Sequence, residues 1–190
     1  MKRLIDFLLA LICLIIFSPL FLICYIAIRI EDGKPVIFKQ QRIGRKGKPF
    51  YIYKFRSLTI DEGNEEDLLI GQTNKKKLTH IGKFLREHHL DELPQLWNVL
   101  IGDMAFVGPR PERKYYIDMI IKHDPRYELL YKLRPGVTSY ATLHNGYTDT
   151  MEKLLIRLEM DLDYLKRQTL MLDAKILIET FINIIIGKKF

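Results

Sequence analysis

The chain has 190 residues, 48% of them hydrophobic, and a formal net charge of +7. That length holds one compact domain with a core and an appendage, and the positive charge points to an anionic partner (membrane surface, phosphate or nucleic acid) without choosing among them. Cys13 and Cys24 cannot pair with each other if the segment between them is helical, because ~1.5 Å of rise per residue sets them ~16 Å apart and a disulfide needs Cα atoms within about 7 Å.

From Phe7 to Ile28 there is no charged residue, a stretch long enough for a bilayer that needs ~20 residues. Arg29, Glu31 and Asp32 follow it where a signal peptide would carry a small-residue cleavage site, so it reads as a permanent membrane segment. Ser18-Pro19 interrupts the run. Proline removes a backbone hydrogen bond and bends a helix, and the Ser18 hydroxyl is placed to satisfy a freed carbonyl where lipid supplies no water. A kinked spanning helix and a re-entrant hairpin both fit. Lys2 and Arg3 lie before the segment and Arg29, Lys34, Lys39 and Arg42 after it, so both ends are compatible with the cytoplasmic side.

Val36 to Arg42 and Phe50 to Arg56 read as two short strands of a basic hairpin, with the turn at Gly44 to Lys48. Ser57 to Lys77, with an acidic run and then Lys75-Lys76-Lys77, reads as a surface loop, its acids lacking calcium-loop spacing. Thr79 to Glu87 predicts a short helix with Ile81, Phe84 and Leu85 on one face. Leu93, Leu96, Trp97 and Leu100 recur at helical spacing. Pro94 is tolerated only in a first turn, which sets Asp91 and Glu92 at or just before a helix N-terminus. Val107 to Pro111 is expected to be an extended loop, because X-Pro disfavours helix. Short helices are expected over Tyr115 to Ile121 and Asp124 to Lys132, with Arg134-Pro135-Gly136 as a turn. Met151 to Arg167 predicts an amphipathic helix. Leu170 to Ile186 predicts an interfacial helix, since Asp173, Lys175 and Glu179 make it too charged to span, with Lys188 and Lys189 beside lipid headgroups.

Adjacent carboxylates at a helix start have a plain explanation, complementing the helix dipole by ~0.3–1 kcal/mol each. Asp91 and Glu92, however, lie between Arg86 and a proline-flanked Arg110, and arginine offers a planar fork for phosphate oxygens. A salt bridge from Arg110 to Asp103 or Glu112 is the competing reading. A carboxylate with arginines nearby can hold a divalent cation or attack phosphorus itself. The five histidines show no zinc spacing, and there is no glycine-rich phosphate loop or G-x-S-x-G motif.

Lys34 to Gly44, Tyr53-Lys54-Phe55-Arg56-Ser57, Leu90 to Leu100, and Gly102-Asp103-Met104 through Gly108-Pro109-Arg110-Pro111-Glu112 together resemble the bacterial sugar transferase family, the monotopic phosphoglycosyl transferases, in its minimal catalytic form. The resemblance implies an α+β, mostly helical fold. It consists of a re-entrant membrane helix-hairpin over residues 1–30, kinked at Ser18 and Pro19, then a small basic β-hairpin and amphipathic interfacial helices around one catalytic domain, residues 31–190. It implies transfer of a phosphosugar from a UDP-sugar to polyprenyl (undecaprenyl) phosphate at the cytoplasmic face of a bacterial inner membrane, releasing UMP and initiating glycan assembly. Asp91 would be the nucleophile that forms an aspartyl-phosphosugar and would sit by Mg²⁺. Glu92 would assist, and Arg86, Arg110 and Arg56 would bind substrate phosphates. Membrane lipids are further partners, and self-association is a further option. The segment Gly136 to Tyr147 departs from the common family pattern, with Tyr140 and Thr142 at the usual Trp and Gln positions, one apparent added residue, and no arginine after Gly146. That departure bears on sugar identity rather than reaction type. Two other classes compete. A non-catalytic membrane-surface scaffold gives no reason for the acids to sit between arginine-bearing segments, and a nucleic-acid binder is opposed by the anchor and the lack of a reader motif.

Overall fold

The computed structural model describes residues 1–59, 78–146, 148 and 150–187. Most of the loop expected over residues 57–77, and Tyr147, Lys188 and Lys189, lie outside the described residues. The fold is α+β and mostly helical, with two small sheets.

The apolar N-terminal run forms two helices, α1 (Lys2–Ile16) and α2 (Ser18–Asp32), bent by 60° across the break at Phe17. Pro19 stands in the first turn of α2, where its missing N–H interrupts no helical bond. The Ser18 hydroxyl donates to the Ile15 carbonyl at 2.8 Å, so one acceptor freed by the break is satisfied locally. No single described helix is long and apolar enough to cross a membrane, but the bent pair together passes that measure of length and composition. One side of the pair packs inward: Ala10 of α1 and Cys24 and Ile28 of α2 are buried. The other side leaves Leu8, Ile12, Ile15, Leu22, Ile23 and Ile26 exposed.

The basic hairpin is present one residue out of step with expectation, as antiparallel strands β1 (Ile37–Ile43) and β2 (Pro49–Phe55), with Gln40 opposite Ile52. A 3-10 turn, Arg45–Gly47, joins them and holds Lys46 at φ 61°. On β2 the alternation of side chains buries Phe50 and Ile52, which meet Ala10 together with Val99 and Met104. Helix α3 (His80–Glu87) is capped by Thr79, whose side chain accepts from the Gly82 N–H at 2.8 Å. Leu85 packs with Ile81 against α2, but Phe84, expected on the same face, is exposed and stacked on His88. A 3-10 turn, Leu90–Glu92, precedes α4 (Gln95–Ile101), which ends at Gly102 with φ 97°.

The strand β3 (Ala105–Val107) pairs in parallel with β4 (Gly136–Thr138), so residues 134–136 are more than the turn expected of them. Helix α5 (Lys114–His123) and a 3-10 helix, Pro125–Lys132, occupy the chain between these strands. A short helix not anticipated from sequence, α6 (Tyr140–Asn145), follows β4. The two long helices α7 (Met151–Arg167) and α8 (Leu170–Ile186) have the expected bounds. Leu154, Leu158 and Leu162 of α7 pack on Ile117, Ile120 and Leu130. On α8, Ile176 is buried while Met171, Ile178, Phe181 and Ile185 are exposed, an amphipathic arrangement.

Backbones approach closely where β3 leaves its sheet. A Cβ at Gly136 would lie 2.2 Å from the Gly108 nitrogen and 2.4 Å from the Thr138 oxygen, and neither backbone atom can yield without breaking the pairing. Gly136→Ala is therefore expected to destabilise the protein by roughly 3 kcal/mol, or roughly 6–12 °C in Tm at this chain length. Thermal unfolding of the purified variant checks this.

Candidate active site

The chain reverses between α3 and α4 at His89, whose left-handed φ of 55° admits the tight 3-10 turn Leu90–Glu92. That turn sends its two acids to different surroundings. Asp91 is buried, at 7% exposure. Glu92 lines an open cleft of about 340 Å³, the solvent at its mouth included. The cavity is lined by Arg42, Ile52 and Lys54 of the hairpin, with Gln95 of α4. Arg110 and Pro111 after β3, Thr138 at the end of β4, and Ser139 and Thr142 beyond it complete the lining. Ser139 caps α6, accepting from the Thr142 N–H at 2.8 Å.

Lys54 Nζ donates to Glu92 Oε1 at 2.5 Å. Burial alone would push the Glu92 carboxyl up, but Lys54 and Arg110 outweigh it and hold this group below the usual glutamate range. Asp91 moves the other way. Burial raises its carboxyl first, the neighbouring Glu92 charge raises it further, and Lys54 and Arg86 only partly offset both. Two adjacent acids thus carry opposite shifts, one an anion held by a lysine and the other a carboxyl of raised proton affinity.

Of the sequence-predicted residues, Glu92 and Arg110 both line the cavity, and the buried Asp91, one residue earlier in the chain, is not among the lining residues. Arg86 acts electrostatically on Asp91 while its Nε donates to the Ser57 hydroxyl at 2.8 Å. Arg56 is placed elsewhere. It is buried, its Nη2 lies 2.9 Å from the Asp32 carboxylate and 2.7 Å from the Asp32 carbonyl, and it ties the end of β2 to the end of α2. The reading that Arg110 serves a salt bridge finds no support, because Glu112 is held by Arg157 at 2.7 Å and Arg42 at 3.7 Å. Among the described residues Arg110 makes no ion pair.

Several lining residues were not assigned to the site from sequence. Lys54 had a usable signal, since it shares the inward parity of Phe50 and Ile52 on β2, and a cation on a core-facing position calls for a partner. Gln95 is buried at the start of α4, and the Thr138, Ser139 and Thr142 hydroxyls depend on the β3–β4 pairing, which local pattern does not reveal. Among the described residues no three His, Cys, Asp or Glu side chains cluster. The two acids present suit a cation such as Mg²⁺ that takes one or two carboxylates and completes its shell with substrate phosphates and water.

The sequence is similar to known proteins along nearly its whole length. It is 40% identical over 189 residues to a UDP-glucose:undecaprenyl-phosphate glucose-1-phosphate transferase of Klebsiella pneumoniae, covering 98% of this chain and 40% of the relative. It is 37% identical to a UDP-N-acetylgalactosamine-undecaprenyl-phosphate N-acetylgalactosaminephosphotransferase of Aeromonas hydrophila, covering 98% of this chain and 44% of that protein. The uncharacterized sugar transferase EpsL of Bacillus subtilis is 35% identical, over 99% of this chain and 89% of its own length. The chain thus spans less than half of the first two relatives and nearly all of the third. The family described as bacterial sugar transferase matches residues 1–187, and with the four quoted motifs all inside that match, the chain belongs to the bacterial sugar transferase family.

Proposed function

We propose that this chain transfers a phosphosugar from a UDP-sugar to undecaprenyl phosphate through a covalent intermediate on Asp91. The observation that carries the reading is the pairing of a buried Asp91 of raised proton affinity with a Lys54-neutralised Glu92, at a cavity also lined by an arginine with no ion-pair partner among the described residues. The names of the relatives supply the substrate classes.

In the first step an Asp91 carboxylate oxygen bonds to the β-phosphorus of the donor. The bond from that phosphorus to the bridging oxygen breaks, and the bridging oxygen leaves with its electron pair as part of UMP. In the second step a phosphate oxygen of the lipid attacks the same phosphorus, the Asp91–phosphorus bond breaks, and the carboxylate returns. Splitting the transfer lets the soluble donor and lipid acceptor use one site in turn. Arg110, preset by Pro109 and Pro111, and Lys54 place positive charge where the phosphoryl oxygens gather charge. Asp91 would hold Mg²⁺ together with the donor's phosphates, since Glu92 is already paired, and the ion would neutralise diphosphate charge.

The bent α1–α2 pair, apolar on its outer side and basic at both ends, supports a re-entrant anchor that enters and leaves by one membrane face, the cytoplasmic one. The exposed apolar side of α8 supports a second contact lying in the interface.

Purified protein with Mg²⁺ and undecaprenyl phosphate, offered a panel of UDP-sugars, is expected to release UMP with at least one of them. Failure with every sugar, in vesicles where the protein is folded, would overturn the proposal. The reaction also carries a pH signature. Asp91 must be ionised to attack, and burial and Glu92 raise its proton affinity, so the acid limb of kcat/KM lies above the ordinary aspartate value of ~3.9. Glu92→Gln removes one raising charge and frees Lys54 to act on Asp91, so the limb moves to lower pH. A limb that stays in place or rises contradicts the assignment.

A further inference from the structure

The first turns of α1 are polar where they meet the rest of the protein. Lys2 Nζ donates to the Val107 carbonyl at 2.8 Å, to Asp173 Oδ2 at 2.5 Å and to the Tyr164 hydroxyl at 3.1 Å. That hydroxyl donates in turn to Asp173 Oδ1 at 2.5 Å, and Tyr164 is 1% exposed. Arg3 donates from Nη1 to the Val99 carbonyl at 2.5 Å and from Nη2 to the Leu100 carbonyl at 2.6 Å. These are two of the last carbonyls of α4, which lack partners within the helix and attract a cation. The buried Asp6 accepts from the Phe106 N–H at 3.3 Å.

These three residues grip the two elements that carry the site. Arg3 holds the end of α4, which begins just after Asp91 and Glu92. Lys2 and Asp6 hold β3, which runs straight into the Pro109-Arg110-Pro111 loop. Ala10, fully buried against Val99, continues the same contact. Beyond it, Leu11, Ile12, Ile15 and Ile16 of α1 are exposed. Charges needed only to mark a membrane side would stand in water, whereas these are spent on partners within the protein. Lys2 and Arg3 are half-buried and Asp6 is buried, and taking such groups out of water is favourable only because each has hydrogen-bond partners.

We propose that Lys2, Arg3 and Asp6 are positioning residues that fix the height of the catalytic loops above the anchor. They thereby govern the step that takes the lipid-borne phosphate and leave the step that takes the soluble donor. This rests on the two-step reading above. A soluble donor diffuses to the site at whatever height the site stands. The lipid phosphate is confined to the headgroup plane, so a shift of about 1 Å in the site's height costs up to about 10²-fold in the lipid step alone.

The test uses full-length protein in vesicles, as wild type, Lys2→Met and Lys2→Arg, with Asp173→Asn as the alternative should Lys2→Met fail to accumulate. Two rates are measured: single-turnover UMP release without acceptor, and transfer to undecaprenyl phosphate. Trp97, the chain's one tryptophan, is half exposed on α4, and its quenching by lipids brominated at different depths reports the height of that helix. Lys2→Met is expected to slow the lipid step ~10-fold or more while donor-step UMP release stays within ~2-fold. The Trp97 depth profile should shift, and Lys2→Arg should restore both. Equal loss in both steps, or an unchanged lipid step and an unchanged Trp97 profile, would overturn the inference, as would wild-type Trp97 insensitive to every quencher. A wild type that releases no UMP sinks the two-step reading instead, and the Trp97 profiles still decide whether Lys2 sets the height of α4.

Discussion

Asp91→Asn is expected to lower UMP release by at least about 10⁴-fold, because removing a covalent nucleophile removes the pathway rather than tuning it. Asparagine keeps the size of the side chain and loses the oxygen anion. The fold should tolerate the change well. Asp91 is buried with its proton affinity raised by burial and by the Glu92 charge, so a neutral side chain there relieves a strain that the carboxylate creates. The variant should unfold at or slightly above the wild-type temperature while losing activity, and those two measurements together separate a chemical role from a structural one. An acid serving only the helix dipole would show the reverse, a small loss of stability with activity retained.

Lys54→Met is expected to lower kcat/KM by about 10²–10³-fold, the scale seen when one preorganised charge partner is removed from a reacting centre. Two effects act in the same direction. Glu92 loses the cation 2.5 Å away that holds it as an anion, leaving a poorly compensated charge at the cavity wall. Asp91 loses one of the two cations that most offset its burial, so its proton affinity climbs and a smaller fraction is ionised at neutral pH. The acid limb of the pH–rate profile should therefore move up in Lys54→Met, opposite to its movement in Glu92→Gln. Lys54→Arg, which keeps the charge, should lie nearer to wild type. A limb that moves the same way in both variants would contradict this electrostatic account of the acid pair.

The parts of the fold that sequence revealed are those whose signal is local and repeated. Helices α7 and α8 were legible to the residue because an apolar stripe recurs over 17 residues in each. The break at Ser18-Pro19 was legible because proline has one consequence in a helix, and the Ser18–Ile15 hydrogen bond is the compensation expected of it. The β3–β4 pair was not legible. Two three-residue parallel strands separated by about 30 residues of chain show no alternation, and Arg134-Pro135-Gly136 carries turn chemistry whether or not a strand begins there. Helix α6 is six residues long, too short for periodicity to declare itself.

The candidate site divides along the same line. Asp91, Glu92 and Arg110 stood out as charges beside helix and proline signals. Lys54 and Arg56 have the same parity on the hairpin, but β2 ends at Phe55. Beyond that point Arg56 follows the chain toward Asp32 while Lys54 keeps its place against Glu92. Which basic residue of the Lys54-Phe55-Arg56 run reaches the acids depends on where a strand stops, and side-chain type alone does not show it.

The central claim is a covalent bond to Asp91, and intact-protein and peptide mass spectrometry tests it most directly. Protein incubated with its UDP-sugar and Mg²⁺, with no lipid acceptor, is quenched and digested. The account predicts a phosphosugar mass added to the peptide containing Asp91, UMP released in equal amount, and loss of the adduct when undecaprenyl phosphate is added. UMP release that needs the lipid from the outset, with no adduct on any peptide, would show direct transfer between two bound substrates and contradict it.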